Sequence, residues 1–380
     1  MLWNCRRFSF MKLKYLEAVA TLVGTIIGAG ILGLPYAIEK VGVFWGIPLL
    51  VFLGLATLLT NLMLAEVVLR TKSRHQLAGY AKKYLGIEAY WVKLFTVLFG
   101  GIGALTVYII GEGQVLSSLL GQNEMYLSLI FFAFVSLILL GGLKTVKVAD
   151  LLLVGIFLFI IGLIAIASGV QIEVANYYKI DWRNMLVPYG AILFAMSGPG
   201  AIITLREVLR GEEQKIKSAV IAGTLIPLAI YIVFVLAVIG VTGENTTEVA
   251  TIGLGNNLSP WVFILGNLFA VFAMTAGFLN NGLILMELLQ FDLRLSKYPS
   301  WLIVCGLPLI MFFIGSRSFV GTINIVGSVT FGITAITLIL LFWKAKKKGD
   351  RSPEFYLPKL KLIGIALILL FILGFLNSLV

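Results

Sequence analysis

Two glycine-rich runs interrupt segments apolar enough to cross a bilayer: Gly24-Thr25-Ile26-Ile27-Gly28-Ala29-Gly30-Ile31-Leu32-Gly33-Leu34-Pro35 and Phe194-Ala195-Met196-Ser197-Gly198-Pro199-Gly200. In hydrocarbon an unpaired backbone N–H or C=O is costly, so a broken helix survives only where its loose groups line a cavity or hold a ligand. The chemistry on offer is recognition of a zwitterion. Amides opening a helix around Gly28, Ala29, Gly30 and Ile31 suit a carboxylate, with about half a positive charge of helix dipole behind them. The Thr25 hydroxyl stands close by. Carbonyls ending a helix near Ala195 suit an ammonium, with Ser197 and Gly198 completing that break. The ligand's side chain is expected toward Tyr108, Phe194, Met196 and Phe278, all uncharged, which predicts a neutral, apolar substrate.

A coupling ion has fewer candidates. Glu66, Glu112 and Glu287 lie within or near the ends of apolar segments, and intramembrane acids commonly mark proton paths. Glu112 follows Gly111 in the outer half of its segment and is the foremost of the three. Glu66 and Glu287 fall near an interface, where solvation or pairing with arginine accounts for them equally well. Sodium would need hard oxygen ligands, such as carbonyls around Thr25 and Gly28 with the hydroxyl of Thr275, which is central in its segment. The balance leans to protons, with sodium kept open. His75 is the lone histidine and sits in a basic loop. With no metal cluster, phosphate loop or nucleophile constellation, neither cofactor nor enzymatic activity is expected.

These residues need a membrane fold to position them. Of 380 residues 60% are hydrophobic and 12% charged, and mean hydropathy is +1.03. That composition belongs to a polytopic membrane protein. Eleven apolar segments follow: 15–38, 42–69, 92–120, 126–142, 148–170, 185–209, 217–241, 258–289, 300–315, 318–343 and 361–379. Little is left for a soluble catalytic or nucleic-acid-binding module. With the N-terminus in the cytoplasm, 25 of the 29 Lys and Arg fall on the inner side, Lys82, Lys83 and Lys93 among them. Lys40, Lys179, Arg183 and Arg317 fall outside, as does the C-terminus. The net charge of +11 is therefore topological. Cys5 in the tail and Cys305 in a buried helix predict no disulfide. Arg6-Arg7 precedes a run too long for a signal peptide, and Met11-Lys12-Leu13-Lys14 reads as a natural start, so residues 1–10 are expected to lie outside the fold.

The first break lies in a helix that starts inside and the second in one that starts outside. The expected architecture is all-α: a tail (1–14), one five-helix repeat (15–170), a second, inverted one (185–343) and an added helix (361–379). Paired breaks at repeat-related positions point to a LeuT-type secondary transporter. Gly100-Gly101-Ile102-Gly103 is better explained by close helix packing.

The same motifs resemble a known family. Gly28-Ala29-Gly30-Ile31-Leu32-Gly33-Leu34-Pro35 is similar to the first-helix motif of the amino acid/auxin permease branch of the amino acid–polyamine–organocation superfamily. Leu193-Phe194-Ala195-Met196-Ser197-Gly198 with Glu207 resembles that branch's sixth helix, although Pro199 stands where a histidine is usual. The stretch from Leu77 to Gly86 resembles its loop helix, and Tyr108-Ile109-Ile110-Gly111-Glu112 its third helix. The resemblance implies amino acid transport in a cell membrane, driven by protons or sodium ions, with spans one, two, six and seven rocking against the rest. The resemblance also implies that some proton-coupled relatives place a lysine deep in span five; here Lys144 and Lys147 stand only at its entrance. An amino-acid-sensing receptor of the same fold is the main rival, and a metal carrier or a channel fits less well.

Overall fold

The computed structural model describes residues 2–141, 155, 159–164, 166–169, 171–291 and 293–377, with the side chains of 2–13 and 291 left aside. Among the described residues the secondary structure is helical throughout, without a strand. Near the N-terminus α1 (Leu2–Ile26) and α2 (Gly30–Glu39) form one span bent by 54°. Gly42, with φ of 90°, turns the chain into α3 (Val43–Leu69). A short amphipathic α4 (Leu77–Leu85) leads to the 34-residue α5 (Ile87–Leu120) and then α6 (Glu124–Gly141). The expected fifth span, with Lys144 and Lys147, lies largely outside the described residues.

In the second half α7 (Pro188–Ala195) and α8 (Pro199–Val208) form the other interrupted span, and its axis bends less than the first. Next come α9 (Ile216–Thr242), a short α10 (Ala250–Asn257), α11 (Pro260–Phe291) and α12 (Lys297–Ile314). The tenth span starts as α13 (Phe319–Val326), passes through a π-helical turn at Gly327–Phe331 and ends as α14 (Gly332–Lys348). The last span is α15 (Lys361–Asn377).

Sequence dictates this packing through small residues. Without a hydrophobic force between helices in lipid, contact depends on backbones coming close. Along α5, Gly100 lies against Thr330, Gly103 against Val326, and Gly111 against Met274 and Phe319. The tenth span therefore runs antiparallel along the whole of α5. Gly101 receives Leu285 of α11. The expected packing role of this glycine run is what the structure has.

Polar clusters fasten both ends. At the end carrying the basic loops, Arg206 of α8 donates to the carbonyls of Val68 (3.0 Å) and Thr71 (2.6 Å), satisfying orphan groups at the end of α3. Glu66 is fully buried and accepts from Arg70 (2.8 Å), Lys346 (2.9 Å) and the Leu357 amide (2.7 Å). Of the two readings the sequence leaves for this acid, the structure has the pairing with an arginine. Asp350 accepts from the Lys72 amide (2.8 Å) and Lys83 (2.6 Å). At the opposite end Lys179 pairs with Glu39, the Asp181 amide donates to the Val41 carbonyl (3.1 Å), and Trp45 donates to that of Met185 (3.0 Å). Lys93, counted with the inner-side residues at the start of its apolar segment, lies about two turns inside α5 and is 1% exposed.

A candidate site at the two helix breaks

The first helix ends at Ile26, and α2 begins only at Gly30. Across the gap the Gly28 amide turns back to the Ile26 carbonyl (3.0 Å), while Ile31 and Leu32 donate to the carbonyls of Gly28 and Ala29. The amides of Ala29 and Gly30 donate to no described residue, although both residues are buried. A buried backbone donor without an acceptor is uncommon enough to demand a ligand or water. They stand where the sequence places the carboxylate.

The second gap faces the first directly. A Cβ on Gly30 would lie 2.7 Å from the Cα of Ala195, and one on Gly198 would lie 2.8 Å from Cγ1 of Ile26. Each break thus uses a glycine to seat the other, Gly30 against the backbone of Ala195 and Gly198 against the side chain of Ile26. Gly30 is small because Ala195 needs the room, and not to keep its own amide uncrowded. Gly28 differs: nothing stands within 4 Å of its would-be Cβ, so it borders open space.

Tyr231 of α9 joins the two gaps, a residue outside the expected set. Fully buried, its hydroxyl lies 2.6 Å from the Ile26 carbonyl and 3.1 Å from that of Ala195. The Ala195 carbonyl expected for an ammonium thus also lies within reach of this one phenol proton, at the longer of its two distances. The Leu193 carbonyl has no donor among the described residues, because the Ser197 amide turns to Phe194 (3.4 Å). Leu193, Ser197 and Gly198 line a cavity with Thr57 and Asn61 of α3 and Thr334 of α14. A phenol near the middle of an apolar helix follows no motif, so only its spacing from Pro227 could have drawn attention.

Other expected residues divide. Thr25 is exposed and spends its hydroxyl on the Thr21 carbonyl (2.8 Å) of its own helix. Met196 is buried, and the ring of Phe194 meets Phe331 edge-on at 6.1 Å. Tyr108 is buried on Gly277 with its hydroxyl accepting from Asn281 (3.2 Å), at the α5–α11 contact. Phe278 packs edge-on against Phe131 of α6 rather than at the breaks. Glu112 and Thr275, named separately as ion candidates, come together: the Thr275 hydroxyl donates to Oε1 (3.0 Å), and Oε2 of the fully buried acid has no hydrogen-bond partner among the described residues. Glu287 forms no ion pair among the described residues. His75 bonds Ser73 and rests on Tyr80; partial burial, then Lys83, hold it below its ordinary value, so it is neutral at pH 7.

The half-helices differ in exposure. Nine of the ten residues of α2 and seven of the eight of α7 are buried, against three of ten in α8. Thr25, Gly200 and Thr204 are exposed. The exposed polar and glycine positions near the breaks thus lie on the half-helices of the basic end, and the other two half-helices are almost wholly buried.

Comparison with known proteins gives a consistent picture. A family model described as the tryptophan/tyrosine permease family matches residues 11–379. Tyrosine-specific transport system 1 of Haemophilus influenzae is 24% identical, covering 90% of each chain. Glutamine transporter 2 of Aliivibrio fischeri is 23% identical over 90% of this chain and 92% of the relative. The tryptophan-specific transport protein of Pseudomonas aeruginosa is 23% identical over 88% and 87%. Among solved structures, that of MhsT in complex with L-phenylalanine superposes with a TM-score of 0.69 at 14% identity, covering 96% of this chain and 97% of the other. The LeuT-type fold expected from the paired breaks is the fold of the chain.

Proposed function

The chain belongs to the tryptophan/tyrosine permease family, and from that premise we propose that it carries neutral amino acids, aromatic ones included, across the cell membrane by cation-coupled alternating access. The observation that carries this reading is the pair of unsatisfied buried amides at Ala29 and Gly30, set against the second break. Such a pair at a helix start receives a carboxylate. The Leu193 carbonyl, which no described donor reaches, joins that of Ala195 as an acceptor for the ammonium. Phe194 and Met196 border the same gap and carry no charge, which suits an apolar or aromatic side chain.

Glu112 with Thr275 is the proposed coupling site. A 0% exposed carboxyl with one oxygen joined to a hydroxyl on a neighbouring span and the other without a partner among the described residues can bind and release a proton. Protons are favoured over sodium because Thr25 has its hydroxyl turned to its own helix. The exposed face at Thr25, Gly200 and Thr204 corresponds to a state open to the cytoplasm, with the N-terminus inside and the C-terminus outside. The first-helix motif favours the amino acid/auxin permease branch within the wider superfamily.

The test is uptake of a labelled panel (tyrosine, tryptophan, phenylalanine, leucine and glutamine) into proteoliposomes, with pH and sodium gradients imposed separately. Accumulation of aromatic substrates under the pH gradient is expected. Failure of every amino acid to accumulate under either gradient would refute the proposal.

A further inference from the structure

Lys93 is the ionisable group this function leaves unused. It sits about two turns inside α5, 1% exposed, and Nζ donates to Thr334 Oγ1 on α14. Thr334 is 4% exposed and donates in turn to the Thr330 carbonyl (2.7 Å) in the π-helical turn. Phe331 of that same turn meets Phe194 at the second break, and Thr334 itself lines the cavity bordered by Ser197 and Gly198.

Among the described residues no counter-ion stands by the amine. Charged groups on the surrounding elements are engaged elsewhere: Lys83 with Asp350, Lys346 with Glu66, and Lys82 over the Tyr90 ring. Glu287 of α11 makes no ion pair with it among the described residues. A lone ionisable side chain inside the bilayer is expensive to keep and marks function by default. A packing role alone would be filled more cheaply by methionine or leucine, because the stem needs no amine to cover the α5–α14 seam.

We infer that Lys93 is a second proton-binding site of the transport cycle, exchanging its proton with the cavity at the second break past Thr334. In the release step one Nζ–H bond breaks, the electron pair stays on nitrogen, and the proton passes to a solvent water in the cavity. Uptake is the reverse. Protonation then bears on the π-helical turn, since the amine, Thr334 and the Thr330 carbonyl form one hydrogen-bonded chain that ends beside Phe331. The site lies at the basic end of α5, whereas Glu112 lies far along the same helix, so the two can load from opposite sides of the membrane. This inference rests on the transport reading above and deepens it.

The experiment compares pH profiles of substrate exchange in proteoliposomes for wild type, Lys93→Met, Lys93→Arg and Glu112→Gln, with unfolding midpoints recorded for each. Methionine holds the position neutral and arginine holds it charged. Both variants are expected to lose a one-proton step that wild type shows, an activity change approaching tenfold per pH unit at its steepest. A Lys93→Met or Lys93→Arg carrier with the wild-type profile overturns the inference. So does a profile that survives in Lys93→Met and vanishes in Glu112→Gln. Should wild type move no amino acid, the function fails separately, and Lys93 is read from unfolding alone. The midpoint difference between wild type and Lys93→Met must then vary with pH, and a constant difference overturns the assignment.

Discussion

Three glycines and one phenol set the geometry of the gap, and they are not equivalent. Gly30→Ala forces a methyl to 2.7 Å from the Cα of Ala195, a backbone atom that cannot swing away. We expect about 1–3 kcal/mol of destabilisation from this overpacking. Ala195→Gly should fail to rescue it, because the nearest obstacle is Cα; full recovery in thermal unfolding of the double variant would contradict that. Gly28→Ala meets open space, so it should keep the wild-type unfolding midpoint while weakening substrate binding. Tyr231→Phe strips a donor from the buried carbonyls of Ile26 and Ala195, at a cost of about 1–3 kcal/mol. Calorimetry on the purified carrier, with and without substrate, distinguishes these cases. The sequence pointed to Gly28, Gly30 and Gly198 because helix-breaking residues declare themselves. It could not reveal that Gly30 answers to Ala195, a contact between residues 165 positions apart. Tyr231 escaped for a related reason: its partners are carbonyls, which carry no sequence signal.

At the level of elements, the loop from 349 to 360 is a strap that ties α3 to α14. The Asp350 and Arg351 amides donate to the Arg70 carbonyl (3.0 and 3.2 Å), and the Leu357 amide donates to Glu66 (2.7 Å). Glu66→Gln removes the charge that Arg70 and Lys346 share. Both partners reach water, so the loss should stay near or below about 3 kcal/mol, the lower edge for a broken buried pair. A change in unfolding midpoint without loss of substrate affinity would bear out a fastening role. The hydrogen bond from Lys83, more than any other influence, holds the Asp350 carboxyl below its usual range. A depressed carboxylate stabilises above its unfolded value and loses that contribution as pH falls through the folded one. Asp350→Asn should therefore lower the unfolding midpoint at neutral pH, with the difference fading below about pH 4. The strap was invisible in the sequence, where residues 349–360 are only a polar interval between two apolar segments. Helix count and the glycine seam of α5 were legible, because apolar length and small-residue spacing are local properties.

For the whole molecule, the question is which side opens. Thr204→Cys on the exposed face of α8 should react with an impermeant maleimide from the cytoplasmic side, while Ala37→Cys in the sealed α2 should not. The reverse pattern would place the open face on the other side. Charge counting gave a clear sidedness, yet it counted Lys93 with the inner-side residues at the very start of its segment. A lysine six residues into a helix, on a face that reads as basic and interfacial, is indistinguishable by sequence from one that snorkels to water. Only the packing of α4 and the tenth span over it separates the two.

One oxygen atom on Tyr231 serves two severed helices at once. Neither stump can swing clear without surrendering a contact the other also depends on, so their motions are geared together. A carrier linked this way resists idling, since slippage of ions without cargo would require that shared pin to let go first. Weakening the pin should reveal itself as leak before it reveals itself as lost uptake.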